Sequence, residues 1–442
     1  MFQKIGILIQ ALVLVGISAT FLFSEKKQIS ESEKRTLAQW PTLNDSTYFS
    51  GAYFKGISEY INDQFPERDW LLELSNKLRF RMGVHLEDEI RMVVVDGQME
   101  QTNEAAPNDS LEASTNDFNA AYSGGMLIVN GAAYTMNSGS VNVSPIFAKM
   151  VNDYATTLGP GVTVYSCIAP LSSAFIPSKQ YAYLNAKNEQ TLHAIRDNLQ
   201  PGVKFADVLA EMNAYRKEKL FFGTDHHWTA YGAYHAYVAF CKSAGLNPAN
   251  LSDMDHEIRG PFLGSLYDLT RDESVKEHPD TLELFKPRVT TELVYYGPSG
   301  FDKPVKCSLF SMAKGYPSFI SGDHPLEKIT TSVKNGRKAC VVKNSMGNAF
   351  CVYLVNHYEE IYVVDFRYSK HNLVRLIKDN QVNDLIFGMG MYGAMSKGTI
   401  QMMRQLGLNK SSSSSSTTSP AKTASKTTNK SKSTAKSKKG KK

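Results

Sequence analysis

Lys338–Gly388 reads KACVVKNSMGNAFCVYLVNHYEEIYVVDFRYSKHNLVRLIKDNQVNDLIFG, and the alternation inside it decides the fold class. Lys338–Lys343, Glu360–Phe366 and Val382–Gly388 are short apolar runs bounded by polar turns, the pattern of buried strands. Between them, Ala349–His357 and Asn372–Asn380 carry helical spacing. Strand, helix, strand, helix, strand at this interval predicts a parallel sheet with helices packed on it. Ligands of such sheets bind beyond the carboxyl ends of the strands. Those ends are Asn344-Ser345, Phe366-Arg367-Tyr368 and Gly388-Met389-Gly390.

The chain before this block continues the α/β rhythm. Arg91–Gln98 reads as a strand with a hairpin-type turn at Asp96-Gly97, residues 100–118 as a polar loop, and Gly125–Tyr134 as a strand pair. Helices are expected at Ser144–Leu158, Asn188–Leu199 and Leu209–Lys219, with strands at Val162–Ile168 and Val203–Val208. A further helix opens at Thr229, a natural N-cap, and stops at Gly245. Its apolar face holds Ala233, Ala236, Tyr237 and Phe240. Gly260–Tyr267 reads as loop and Leu282–Tyr296 as strand.

The two ends of the chain stand apart from this body. Ile5–Phe23 is uncharged and apolar over nineteen residues. That is about the ~20 needed to span a bilayer and longer than the core of a cleaved signal. The expectation is a signal anchor over residues 1–24 that carries the rest outside the cytoplasm, or a cleaved signal on the alternative reading. Lys4 precedes the run and Lys26 and Lys27 follow it, so loop charge decides orientation only weakly. Residues 25–90 read as a membrane-proximal helical arm, with one helix at Ser46–Gln64, a break at Pro66 and a second helix at Arg68–Arg81. Arg68 and Asp69 read as a local structural pair. The α/β domain is expected over 91–409. Lys410–Lys442 is Ser, Thr, Ala and Lys with ten lysines and no acid, a disordered composition. Removing those lysines turns the formal +6 into −4, so the basic character belongs to the tail. The tail reads as a spacer, or as an electrostatic contact to an anionic cell-wall polymer. It has no aromatic residue for stacking on bases, and no nucleic-acid partner is expected.

The five cysteines, Cys167, Cys241, Cys307, Cys340 and Cys351, form no C-x-x-C pair. They predict neither a disulfide framework nor a zinc site. No P-loop and no G-x-G-x-x-G after a strand occurs, so no cofactor is expected.

Two places carry chemistry. Asp225-His226-His227-Trp228 packs an acid and two imidazoles into the loop ahead of the Thr229 helix. Ser345 stands between a buried strand and a helix, where a serine hydroxyl is exposed beside helix N-terminal amides. The same position suits an N-cap serine. Asp225, His227 and Ser345 have the residue types of a nucleophilic triad, which forms from separate segments in any chain order. Spacing alone leaves three readings level: a triad, a metal site completed by His235, and a satisfied polar cluster. The metal reading lacks H-E-x-x-H spacing.

The string Thr224-Asp225-His226-His227-Trp228-Thr229, followed by Gly232-Ala233-Tyr234 and Tyr237, resembles the signature of the DHHW protein family, related to the SGNH-like domains of alginate O-acetyltransferases. The resemblance extends to Glu33–Leu37, Gln64–Asp69, Gly264–Tyr267, Lys343–Phe350 and Asp365–Tyr368 in the same order. It implies an α/β, SGNH-hydrolase-like three-layer fold in permuted order, with the Asp/His block ahead of the serine block. It also implies Asp225 as acid, His227 as base, Ser345 as nucleophile and His226 as a spectator. Arg367 resembles an arginine near the active site of relatives, an anion or oxyanion contact. Asn344 departs from the family's usual aspartate before the serine and loses a charge there.

The implied activity is O-acetylation of a cell-surface or exported polysaccharide, with a membrane-bound O-acyltransferase as acetyl donor. An esterase of the same fold, with water in place of the sugar, and a non-catalytic glycan-binding scaffold are the competing readings.

Overall fold

The computed structural model describes residues 15–16, 19–21, 23–24, 26–30, 35–68, 70–71, 74, 90–93, 125–136, 141–177 and 181–408. The tail, most of Ile5–Phe23, the Asp96-Gly97 turn, the 100–118 loop and Asp69 lie outside these residues. Among the described residues, no helix is long and apolar enough to cross a membrane.

The arm begins with a two-strand pairing of β1 (Ile29–Ser30) and β2 (Arg35–Thr36). It continues into α1 (Asp45–Phe49) and α2 (Ala52–Asp63). One helix was expected from Ser46; Gly51 at φ 78° ends α1 instead, because the left-handed conformation cannot continue a helix. Beyond Pro66 the described residues Arg68, Trp70, Leu71 and Leu74 are helical, as expected.

Three strands form a small antiparallel sheet: β3 (Ile90–Val93), β4 (Met126–Val129) and β5 (Ala132–Thr135). Asn130 and Gly131 make the β4–β5 turn with φ of 50° and 75°, the two positive values a type I′ hairpin needs. Next in the chain come α3 (Ser144–Leu158), β6 (Thr163–Ala169), α4 (Ala182–Arg196), β7 (Lys204–Phe205), α5 (Val208–Ala214) and α6 (Ala230–Ala244). Helix α4 starts six residues ahead of the expected Asn188. Helix α6 matches its expected caps: Thr229 accepts from the Gly232 N–H, and Gly245 ends the helix in the left-handed region.

Gly260–Tyr267 is not a loop. Strand β8 (Asp255–Phe262) runs into it, α7 (Ser265–Thr270) leaves it, and α8 (Glu273–Lys276) leads to β9 (Asp280–Lys286), which pairs with β8. The Gly260-Pro261 pair that reads as a turn sits at a register shift between Arg259 and Pro261, where an irregular strand tolerates both residues. Leu282–Tyr296 divides at Pro287 into β9 and β10 (Thr291–Tyr296), which belong to different sheets.

The remaining elements are β11 (Val305–Cys307), β12 (Leu326–Thr331), β13 (Lys338–Lys343), α9 (Gly347–Leu354), β14 (Glu360–Asp365), α10 (Leu373–Asp379), β15 (Asp384–Gly390), α11 (Met391–Met395) and α12 (Lys397–Gln405). The main sheet has eight strands in the order β11-β10-β12-β14-β13-β15-β6-β7. The five from β14 to β7 run parallel. The other three pair antiparallel, which corrects the expected parallel sheet to a mixed one. An antiparallel margin on a parallel core is common, because only the core strands need helical crossovers.

Helices cover both faces, giving three layers. Ala339, Val341, Ile361, Val363 and Ile386 point into a core shared with α6 and α9. The alternate residues Cys340, Val342, Tyr362, Val364, Leu385 and Phe387 point into one shared with α3, α10 and α12. Both sides of each central strand are therefore apolar, which explains the continuous runs in the sequence. Helix α9 can begin against the sheet only with glycine at 347. A Cβ there would lie 2.5 Å from the Gly388 carbonyl oxygen and from Lys343 Cβ.

Phe350 is fully buried where α9 meets α6, its ring edge-on to Phe240 at 6.0 Å. Phe350→Ala should lower the stability of the body by about 3–5 kcal/mol, read as a shifted midpoint in equilibrium urea unfolding.

Candidate active site

The Asp225–Trp228 loop is closed at its base by backbone. Phe221 and Trp228 form an antiparallel bridge, the Phe222 N–H donates to the His227 carbonyl at 3.2 Å, and the Thr229 N–H donates to Leu220 at 2.9 Å. Asp280, fully buried at the start of β9, pins the turn. Its Oδ1 accepts from the Gly223 N–H at 3.0 Å, and its Oδ2 accepts from the Thr224 N–H at 2.6 Å and hydroxyl at 2.7 Å. Lys219 Nζ, 2.7 Å from Oδ1, balances the charge.

The segment Gly264–Tyr267 closes over the loop from the other side. The Gly264 N–H donates to Thr224 Oγ1 at 3.1 Å and the Ser265 N–H to Asp225 Oδ2 at 3.1 Å. A side chain at 264 would occupy the space of the Asp225 carboxylate, so this approach requires glycine.

These restraints leave Asp225 aimed along one line of hydrogen bonds. Asp225 Oδ1 lies 2.6 Å from His227 Nδ1 and accepts from the His227 N–H at 2.9 Å. His227 Nε2 lies 2.9 Å from Ser345 Oγ, bridging 118 residues of sequence. Asp225 and His227 are buried, while Ser345 keeps partial exposure. The imidazole is also held face to face. Tyr316 stacks on His227 at 3.7 Å between centroids and 4° between planes, and His226 lies against it at 3.8 Å.

Sequence reasoning missed Tyr316, whose hydroxyl ties the two halves of the site together. It accepts from Trp228 Nε1 at 3.1 Å and from the Ala349 N–H at 3.3 Å, and donates to the Met346 carbonyl at 2.7 Å. Trp228 is thus a strut for the loop rather than a contact face. Asp280 was missed as well. Neither residue belongs to a motif, and only their placement in space marks them.

Asn344, at the end of β13, is buried and accepts from the Gly390 N–H at 3.1 Å. That bond locks the serine turn to the end of β15. Arg367 is drawn into an ion-pair cluster behind the loop. Its guanidinium meets both oxygens of Asp365 at 2.8 and 2.6 Å and Asp323 at 2.9 Å. Lys343 Nζ joins the same two carboxylates at 2.8 and 2.9 Å. Asn348 donates to Asp323 at 2.9 Å.

Burial alone would raise the Asp225 carboxyl, but the charge and hydrogen bond of His227 prevail and hold it well below the usual carboxylate range. His226 moves the other way for a base. Burial first, and His227 beside it second, lower it to about 3, so it is neutral at physiological pH. Its Nδ1 lies 2.7 Å from Ser265 Oγ.

The metal reading divides. Asp225, His226 and His227 bring three ligating atoms within 4.8 Å of one another, so the loop has the donor set for a cation. Those donors are already engaged with one another, with Ser265 and with Ser345. His235, the residue expected to complete that set, turns elsewhere. It bonds Glu218 at 2.9 Å and stacks on Tyr215 at 4.0 Å, lining a separate hollow of about 350 Å³ along α6. All five cysteines are free, and all but Cys307 are buried.

A mixed three-layer sheet with a D-x-H-W loop facing a strand-end serine defines the class of protein, and the sequence agrees with it. The chain belongs to the DHHW protein family, which it matches over residues 90–364. It is similar to a DHHW family protein from Eubacterium siraeum DSM 15702, with 29% identity and a TM-score of 0.58 over 64% of this chain and 96% of that one. The fold is also that of Bacillus cereus PatB1, a structure carrying a sulfonyl adduct, at 18% identity and a TM-score of 0.50 over 63% and 95% of the two chains. The O-acetyltransferase domain of Pseudomonas putida AlgJ aligns at 14% identity and a TM-score of 0.35 over 64% and 95%. No curated protein matches the chain.

Two outcomes test these supports. Tyr316→Phe keeps the ring on His227 but removes the acceptor of the buried Trp228 indole N–H and of the Ala349 N–H. It should cost about 1–3 kcal/mol in urea unfolding. The His226 shift carries a pH signature. As pH falls from about 6.5 towards 3, the unfolded chain takes up a proton that folded His226 refuses, so stability declines across that window. His226→Gln should flatten the upper part of that decline, above the range where carboxylates titrate, in unfolding midpoints measured at successive pH values.

Proposed function

We propose that the protein is an extracytoplasmic O-acetyltransferase acting on hydroxyls of a cell-surface or exported polysaccharide through an acyl-enzyme. The observation that carries this reading is the continuous line Asp225–His227–Ser345, at 2.6 and 2.9 Å. Membership of the DHHW family and the shared fold of PatB1 support it in kind. We read the layered body, residues 91–409, as SGNH-hydrolase-like in permuted order.

In the first half-reaction Ser345 Oγ attacks the acetyl carbonyl of the donor while its proton passes to His227 Nε2. Asp225 steadies the imidazolium through Nδ1. Collapse of the tetrahedral intermediate breaks the donor's acyl–oxygen bond, and the leaving oxygen takes the proton from His227. The second half-reaction runs the same steps in reverse, with a sugar hydroxyl giving its proton to His227 and attacking the acetyl-serine. The products are the acetylated sugar and free Ser345. Asn344 supports the turn through Gly390 without adding a charge beside the nucleophile. The Arg367 cluster supplies rigidity behind the loop; its two cations are matched by Asp323 and Asp365, so an anion or oxyanion contact by Arg367 would require it to give up one of those partners.

The reading extends to location and partners. Residues 1–24 serve as the membrane anchor, a membrane-bound O-acyltransferase supplies acetyl groups, and the lysine-rich tail contacts anionic wall polymer.

The test is acylation by an activated acetate ester. Wild-type protein should hydrolyse 4-nitrophenyl acetate and carry an acetyl group on Ser345 in peptide mass spectrometry. Ser345→Ala and His227→Ala should lower turnover by about 10³-fold or more. Absence of both turnover and adduct in the wild type refutes the enzyme reading. Added glycan separates transfer from hydrolysis: acetyl transferred only to water, with glycan present, assigns an esterase.

A further inference from the structure

The arm holds a concentration of large apolar side chains that the fold leaves exposed. Trp40, Tyr48, Phe49, Phe54 and Trp70 are each half or more exposed, and α2 buries none of its twelve residues. Its sequence nevertheless separates two faces. Tyr53, Phe54, Ile57, Tyr60 and Ile61 fall on one side of the helix, and Lys55, Ser58, Glu59 and Asn62 on the other. Exposed Lys55 and Glu59 pair at 3.8 Å on that polar side. Tyr48 joins its ring to Phe49 at 5.4 Å and to Phe54 at 5.5 Å, so the aromatics of α1 and α2 form one patch rather than scattered singles.

A second contact says what covers this patch. Phe21, near the end of the apolar run Ile5–Phe23, lies 6.3 Å from the Tyr60 ring, and Trp40 lies 5.2 Å from the same ring. Lys26 sits 3.9 Å from the Phe21 ring and donates to its carbonyl, capping the run with a cation. An apolar run of membrane-spanning length followed by Lys26, whose end packs on Tyr60 and through it on Trp40, places aromatic and basic side chains as at the hydrocarbon–headgroup boundary. The amphipathic helix docked at that end has the form of one lying in the interface.

We infer that α1, α2 and the helical turn around Trp70 lie on the outer surface of the bilayer, with their aromatic face in the headgroup–acyl boundary. This rests on the reading of Ile5–Phe23 as an anchor. The occupant of the patch is lipid, because the patch is continuous with the end of that run.

The chain's three tryptophans make the test direct. Two lie in the arm, and Trp228 is 1% exposed inside the body. Full-length protein is reconstituted into phosphatidylcholine–phosphatidylglycerol vesicles, with and without bromine on the phosphatidylcholine acyl chains. Flotation reports the anchor; tryptophan quenching by bromine reports the arm. The expected result is co-flotation with a large loss of emission in brominated vesicles. The Trp40→Phe/Trp70→Phe double variant should show none of that loss, because Trp228 is shielded. Circular dichroism checks that this variant is folded. Co-flotation without bromine quenching, with Trp40 and Trp70 open to aqueous iodide, overturns the inference while leaving the anchor intact. It would assign the patch to water or a protein partner. Failure to float overturns both, and neither outcome bears on ester turnover.

Discussion

The site depends on bringing one imidazole between two chain segments 118 residues apart and keeping it from turning. A hydrogen bond at each nitrogen fixes the plane of His227 only loosely, since an imidazole can tilt about the line joining its partners. The Tyr316 ring at 3.7 Å removes that freedom on one face and His226 narrows it on the other. The Tyr316 hydroxyl then binds the Trp228 side of the loop to the Met346 turn that carries the serine. One residue thus sets both the attitude of His227 and its distance from Ser345. The proposed triad would need that kind of shared support, because displacements of about 1 Å cost roughly 10²-fold in rate.

Behind the loop, charge is balanced among largely buried side chains. Lys343 and Asp365 have fully buried side chains, and Arg367 is nearly so. Two cations face two carboxylates, Asp365 and Asp323, with multiple hydrogen bonds, the condition under which buried ions are tolerated. Glu327 stands next to them on β12, fully buried, with neither oxygen hydrogen-bonded among the described residues. Burial pushes its carboxyl far up, which disfavours a third negative charge in the cluster. The cluster anchors the ends of β13 and β14 to the segment that contains Asp323, and so stiffens the floor under Ser345.

The sequence made the parallel half of the fold readable for a physical reason. Strands buried on both faces are continuous apolar runs, and β13, β14 and β15 were each found within a few residues of their ends. The helix caps at Thr229 and Gly245 were equally plain. Strands β8 and β12 were not, because one carries Gly260-Pro261 and the other, Leu326-Glu327-Lys328-Ile329, breaks its apolar pattern with a fully buried glutamate and shows no period-2 alternation. Asp225, His227 and Ser345 were legible as candidates from residue type and local setting, while spacing left triad, metal and polar-cluster readings level and their roles came only from the resemblance to the DHHW family. Arg367 was legible as a charge near the site, but not as the partner of Asp365 and Asp323.

The parts that escaped the sequence share one location. Tyr316 and Asp323 both lie in the connection between β11 and β12, two strands of the antiparallel margin. Both strands pair antiparallel with β10 between them, so the connection crosses over β10, and it does so as irregular chain with one short turn at Tyr316–Ser318 and no periodicity to announce a role. Yet it crosses the end of the sheet where β13 delivers Ser345. From there Tyr316 reaches the imidazole and Asp323 reaches Lys343 and Arg367. The parallel core presents Ser345, the loop before α6 presents Asp225 and His227, and the antiparallel margin holds the two in register. A purely parallel sheet of this size would present the serine without the frame that keeps His227 in line.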